Sequence, residues 1–209
     1  MAVLEMKGIC YAYEKGRPIL SDINTEFEVG KMYAVLGPSG SGKTTMLSLI
    51  GGLDIPQKGE ILFSGENISQ CGLACHRRSH VSLIFQSYNL IDYMTPMENV
   101  ALTAKKDVLS LLLRLGLTAE EAKRNVMKLS GGQQQRVAIA RALASDTPVI
   151  LADEPTGNLD EDTAGGITDI LKESAHELNK CVIVATHSNK LAAQADVVLN
   201  LKRGSLYTA

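Results

Sequence analysis

Met32-Tyr33-Ala34-Val35-Leu36-Gly37-Pro38-Ser39-Gly40-Ser41-Gly42-Lys43-Thr44-Thr45 runs from an apolar stretch through a glycine- and serine-rich turn into the helical spacing of Met46, Leu47 and Ile50. The apolar run suits a buried strand, and Gly37 to Thr44 matches G-x-x-x-x-G-K-[ST] in full. Strand, glycine loop and helix in that order make a nest for phosphate. The glycines let successive N–H groups converge, and the helix points its positive end at the same place. Lys43 adds a cation for the outer phosphates, each such charged hydrogen bond contributing roughly 1.5–3 kcal/mol. Thr44 offers a hydroxyl to Mg²⁺, a hard cation that prefers oxygen. Alone, the stretch could still be an ordinary glycine turn.

A second element removes that doubt. Val149-Ile150-Leu151-Ala152 runs apolar straight into Asp153-Glu154. A buried strand ending in two acids delivers carboxylates to the carboxyl edge of a sheet, where a glycine loop also sits. Asp153 is expected to hold magnesium, directly or through water. Glu154 is expected to polarise a water for attack on a γ-phosphate, the general-base role.

Around these two anchors the chain alternates between strand and helix patterns. Val3 to Tyr13, Ile19 to Val29, Glu60 to Phe63, Val81 to Phe85, Cys181 to Ala185 and Val197 to Leu201 read as further strands. Thr163 to Leu178 is amphipathic through Ile167, Ile170, Leu171 and Leu178. From Thr95 to Lys128 the character is helical, with Leu109, Leu112, Leu113 and Leu117 expected on one face and Gly116 and Thr118 expected to end that run. The expected fold is α/β, with a helical lobe inserted at about 87–145 in a single domain spanning 1–209.

Composition narrows the function. The chain has 209 residues and 45% apolar content, enough for one compact domain with a buried core. Its 21 basic and 23 acidic residues are mixed along the sequence with no basic block, which argues against nucleic acid as a partner. No apolar stretch is long enough to cross a bilayer, since Val108 to Leu117 is short and broken by Arg114. Glu5 interrupts what a signal peptide needs as an apolar run. A cytoplasmic location is therefore expected. Cys10, Cys71, Cys75 and Cys181 are too few and scattered for a disulfide framework, and Cys71, Cys75 and His76 lack a second ligand pair for a metal site.

The third element names a family. Leu129-Ser130-Gly131-Gly132-Gln133-Gln134-Gln135-Arg136-Val137-Ala138-Ile139-Ala140-Arg141 resembles the signature string of ABC ATPases almost letter for letter. Physically, Ser130-Gly131-Gly132 opens a helix and leaves N–H groups and a hydroxyl to meet an anion. The resemblance covers essentially the whole chain. It implies a P-loop NTPase: a RecA-like core, an antiparallel β subdomain and a short α-helical signature subdomain.

The resemblance also implies site roles. Tyr13 matches the aromatic on which adenine stacks, with Tyr11 ranked second. ATP is expected on Gly37, Pro38, Ser39, Gly40, Ser41, Gly42, Lys43, Thr44 and Thr45. Ser130, Gly131, Gly132 and Gln133 of a second copy, with Asp160 in the interface loop Asn158-Leu159-Asp160, are expected to complete the site in a homodimer. Gln86 matches the glutamine that senses Mg²⁺ and attacking water, alongside Thr44 and Asp153. His187 matches the switch histidine at the γ-phosphate, so Glu154, His187, Gln86 and Lys43 form the implied catalytic set.

What the family does follows as an expectation. The chain resembles ATP-binding subunits that power export of peptides, lipoproteins or drug-like molecules through a separate membrane permease, at the cytoplasmic face of the membrane. The stroke is expected to reach membrane helices docked near Gln86 and the segment Ser87 to Asn99. Gly37 to Thr44, Phe85-Gln86 and Leu151 to Asp160 are similar to the lipoprotein-releasing (LolD-like) and macrolide-export (MacB-like) subfamily, and Gly30 to Ala34 to small bacteriocin-export ATPases. An ABC ATPase doing mechanical or assembly work without moving a solute is the alternative. A DNA-repair or translation ATPase is disfavoured by the single cassette. From Glu98 to Leu129 the chain spans 31 positions, which is short for this family, so a trimmed helical lobe is expected. With few residues after Leu201, no regulatory C-terminal domain is expected.

Overall fold

The computed structural model describes residues 2–14, 16–104, 107–157 and 159–208. Two sheets form. In the first, β1 (Ala2–Tyr11), β2 (Leu20–Glu28), β4 (Lys58–Phe63) and β5 (Glu66–Asn67) lie in the antiparallel order β2-β1-β4-β5. The second has β3 (Met32–Leu36), β6 (Val81–Ile84), β7 (Val149–Asp153), β8 (Cys181–Thr186), β9 (Val197–Lys202) and β10 (Ser205–Thr208) in the order β10-β9-β3-β8-β7-β6. Its first pair is antiparallel and the other four pairs are parallel.

The central parallel strands β3, β7 and β8 are buried on both faces, which is why their sequences read as apolar runs. Val149, Leu151, Cys181, Ile183, Tyr33 and Val35 enter a core shared with the antiparallel sheet and α1 (Lys43–Ile50). Their alternating neighbours Ile150, Ala152, Val182, Val184 and Met32 enter a second core on the opposite face. Helices α4 (Pro96–Ala101), α5 (Val108–Arg114), α6 (Gly131–Leu143) and α7 (Glu161–His176) contribute to that second core. Each fully buried aliphatic side chain stabilises by about 1.5–3 kcal/mol relative to exposure. The catalytic candidates thus stand on a sheet clamped from both sides.

Several expectations need correction. The stretch from Thr95 to Lys128 is not one helical run. Thr95 and Glu98 form a capping box with Pro96 in the first turn of α4, and the Asp107 carboxylate accepts from the N–H groups of Leu109 and Ser110 to start α5 afresh. Gly116, at φ 79°, stops α5 in a backbone region that favours glycine, and only two 3₁₀ turns follow, Glu121–Lys123 and Val126–Lys128. Local caps, not leucine spacing, set these boundaries. Leu112 is fully buried in α5, whereas Leu113 is 46% exposed and leaves the expected face. Helix α7 starts two residues before Thr163 because Asp160 caps it, and it ends before Leu178, which is 52% exposed. Strand β1 ends at Tyr11, so Tyr13 lies beyond the sheet. Strands β5 and β10, α2 (Ile68–Cys71), α3 (Leu73–Ser79) and α8 (Asn189–Ala192) were too short to leave a periodic signal.

Candidate active site

The glycine loop joins β3 to α1, and its geometry explains its letters. A Cβ on Gly37 would stand 2.5 Å from the Leu201 carbonyl oxygen and 2.7 Å from Ser41 Oγ. Gly42 has φ 103°, and a Cβ there would press on Ile19 and Leu20. Neither position tolerates a side chain without a shift of the loop. Lys43 is 7% exposed, and its ammonium donates to the carbonyl oxygens of Gly37 at 2.9 Å and Pro38 at 3.2 Å. Ser41 Oγ is buried with no hydrogen-bond partner among the described residues. An ammonium and an unmatched hydroxyl beside converging amides form a polar cradle for an anion.

Strand β7 brings Asp153 and Glu154 to this loop. The Thr44 side chain lies close enough to the Asp153 carboxylate to act on its pKa, while Asp153 Oδ1 is buried with no partner among the described residues. Burial raises the pKa of Asp153 above its ordinary value; the Thr44 side chain opposes this, the Glu154 charge adds to it, and Lys43 opposes it. Glu154 lies just after the strand with φ 47°, a region non-glycine residues rarely occupy. Its Oε1 is 3.7 Å from Lys43 Nζ, and its Oε2 is 3.0 Å from His187 Nδ1. Thr186 donates to the same Oε2 at 3.3 Å. A cleft of about 460 Å³ opens here, bounded by Glu154, Gly157, Glu161, Thr186, His187 and Lys190.

Lys43, Thr44, Asp153, Glu154 and His187 are therefore drawn together from α1, β7 and the end of β8. Gln86 is exposed in the turn after β6, at the carboxyl end of the strand neighbouring β7. Tyr13 is 65% exposed, and its hydroxyl lies 3.3 Å from Thr45 Oγ1 at the start of α1. Tyr11 is 7% exposed and donates its hydroxyl proton to Asp54. The two rings meet edge to face at 5.1 Å, so only Tyr13 has a face free to receive a planar ligand. This separates Tyr13 from Tyr11, the second-ranked aromatic.

The helix start at Ser130 belongs to a different element, α6. Ser130 Oγ accepts from Gln133 N at 3.3 Å, and Gln133 Oε1 accepts from Ser130 N at 2.9 Å, a closed capping box. Gln133 Nε2 also reaches Glu121 at 2.7 Å. Ser130 and Gly131 are exposed. Asp160 caps α7 through the amide and hydroxyl of Thr163, and those bonds hold its pKa below the ordinary value. Asn158 lies outside the described residues.

Sequence reading overlooked two side chains that touch this machinery. Thr186 ends a fully buried strand beside His187, a placement that could have signalled it. Gln135 sits within the signature string, but nothing in the string says which of its glutamines turns inward.

Residues 20–157 match the family model described as ABC transporter. An uncharacterized ABC transporter ATP-binding protein of Bacillus subtilis, YclH, is 45% identical over 98% of this chain and 96% of its own length. The lipoprotein-releasing system ATP-binding protein LolD of Pseudomonas fluorescens is 37% identical over 98% of this chain and 97% of its own. An ATP-binding cassette of Methanocaldococcus jannaschii, solved as a dimer in a post-hydrolysis state with ADP and Pi, superposes with a TM-score of 0.90 at 34% identity, covering 99% of this chain and 97% of that one.

Proposed function

The chain belongs to the ABC transporter family as an ATP-binding, ATP-hydrolysing subunit, and from that premise we propose how its residues divide the work. The triphosphate rests on Gly37 to Thr44, with Lys43 leaving its loop carbonyls to hold the outer phosphates. Tyr13 stacks on adenine. Glu154 takes the proton of the attacking water, and His187, whose Nδ1 lies 3.0 Å from it, orients that carboxylate and meets the γ-phosphate. Gln86 reports on the same water from the turn after β6.

The residues also fit magnesium. The Thr44 hydroxyl and a buried, unmatched Asp153 oxygen are hard donors beside the phosphate nest. With Gln86 they would hold Mg²⁺, which supplies charge neutralisation between the phosphates.

Two copies of the chain close over two nucleotides, each between the loop of one and Ser130-Gly131-Gly132, Gln133 and Asp160 of the other. The exposed, capped helix start supports this reading because Ser130 and Gly131 are open to solvent, where a second copy can reach them. Residues 87–145 act as the helical subdomain and face a separate permease at the membrane. Among the described residues, no helix is long and apolar enough to cross a membrane. Likeness to a lipoprotein-releasing protein supports export of a lipidated, peptide or drug-like substrate.

The observation that carries the assignment is Glu154 held between Lys43 and His187 at the carboxyl end of β7. Glu154→Gln tests it by steady-state hydrolysis and equilibrium ATP binding. Retained binding with turnover lowered by about 10²–10⁴ is expected for a missing general base; near-normal turnover removes Glu154 from that role. Co-purification in detergent with a membrane protein encoded beside it tests the permease.

A further inference from the structure

Gln135 is the fifth residue of α6 and only 2% exposed. Its Nε2 donates to the Pro155 carbonyl oxygen at 2.9 Å, while its Oε1 is buried with no partner among the described residues. An unmatched buried acceptor is a cost that methionine or leucine of similar size avoids. Filling the core therefore does not account for a glutamine here. What it does provide is one directed bond to the peptide that follows Glu154.

That peptide needs holding. Glu154 has φ 47°, and such a conformation persists where its surroundings over-determine it. Its own N–H donates to Ala185 O at 2.9 Å, which ties the turn to β8. Gly157 N donates back to Glu154 O at 3.1 Å and closes the turn. Gln135 supplies the third restraint, from helix α6.

We propose that Gln135 is a positioning residue for hydrolysis: its bond to Pro155 fixes the left-handed turn that aims the Glu154 carboxylate. The proposal rests on the reading of Glu154 as general base. It adds a link between two surfaces, since α6 also begins at Ser130-Gly131-Gly132. Movement of the helix start on closing over a second copy's nucleotide is carried five residues along a rigid helix to this chain's own base.

The test compares two variants with the wild-type chain in ATP hydrolysis, ATP binding and thermal unfolding. Gln135→Met keeps the length and removes the donor. We expect kcat to fall about tenfold, as small misplacements of a reacting group do, with KM for ATP within about twofold and no loss of Tm. Gln135→Glu keeps the shape and can donate to Pro155 only while protonated. Burial raises such a carboxyl's pKa, so this variant should approach wild-type kcat at low pH. It should then lose activity as pH rises through that titration, a limb absent from the wild-type profile. The proposal is overturned by a Gln135→Met kcat within about twofold of wild type, by a matching rise in KM, or by a wild-type pH profile in Gln135→Glu. Should Gln135→Met fail to fold, the pH limb of Gln135→Glu decides. Glu154→Gln is assayed beside them. Normal turnover there overturns the base assignment together with this inference, whereas an inactive Glu154→Gln beside a normal Gln135→Met overturns this inference alone.

Discussion

The loop at Gly37–Thr44 and the helix start at Ser130–Gly132 are both glycine-rich openings of helices, yet they are built to different degrees of completion. The loop is finished inside one chain. Lys43 is buried against two carbonyls and lies near Glu154, and Gly37 has no room for a side chain. The helix start closes its own capping box, and Ser130 and Gly131 are turned to solvent. A Cβ on Gly131 would come 3.1 Å from the Tyr88 hydroxyl, and one on Gly132 3.2 Å from Leu159, so these glycines keep the surface low without enclosing anything. On the reading proposed above, one region holds the triphosphate within a single chain, and the other is half of a site that a second copy completes.

The largest effects should fall on the finished region. Lys43→Ala removes the only side-chain cation we assign to the outer phosphates and should abolish binding or turnover, read by ATP titration and phosphate release. Glu154→Gln should keep binding and lose turnover by the factor given above. If both variants lost binding equally, the separation of holding from chemistry within this region would fail.

The half-site is tested by charge. Ser130→Asp keeps a good helix cap but sets a carboxylate where a γ-phosphate is expected. Like charges about 4 Å apart repel by about 4 kcal/mol at the dielectric of a protein surface, so turnover should drop by about 10²-fold or more. ATP binding to a single chain should persist. In a Glu154→Gln background, ATP should convert the chain to a dimer in sedimentation, and adding Ser130→Asp should prevent it. A dimer that forms regardless would mean that the helix start meets no nucleotide.

Smaller effects separate the two tyrosines. Tyr13→Ala should raise KM for ATP roughly two- to tenfold, the worth of one aromatic stack at about 0.5–1.5 kcal/mol, with kcat little changed. Tyr11→Phe removes only the bond to Asp54 and should lower stability by about 1 kcal/mol without moving KM. The reverse pattern would exchange their roles.

Legibility in the sequence followed the same division. Gly37 to Thr44 and Val149 to Glu154 announce themselves because phosphate binding and a buried parallel strand leave contiguous letters. The signature string is equally contiguous, but its letters do not say whether Ser130 faces inward or outward. Contacts between distant segments leave no such trace. The bond from Gln135 to Pro155 spans 20 positions and that from Thr186 to Glu154 spans 32, so neither could be read along the chain. The helical stretch was misjudged for a related reason. Gly116 and Thr118 were legible as the end of the leucine-rich run, but the fresh start of α5 rests on the Asp107 carboxylate accepting from Leu109 and Ser110, which leucine spacing does not show.

Asp153 sharpens the contrast by its cost to stability, the smallest effect expected. A finished site that concentrates unmatched oxygen for a cation should be strained without it. The Asp153 pKa is raised above 3.8 in the fold, chiefly by burial, so the folded state binds this proton more tightly than the unfolded chain does. Stability from this group is therefore full below pH 3.8, declines as pH rises through the raised value, and stays diminished above it. Asp153→Asn removes the charge and should raise Tm at pH 7 while ending magnesium-dependent turnover. The gain should shrink as pH falls toward 3.8. A Tm gain independent of pH would trace the effect to packing instead of charge. A Tm loss at pH 7 would mean that the folded site already satisfies the carboxylate, and the loop region would then not be waiting for a cation at all.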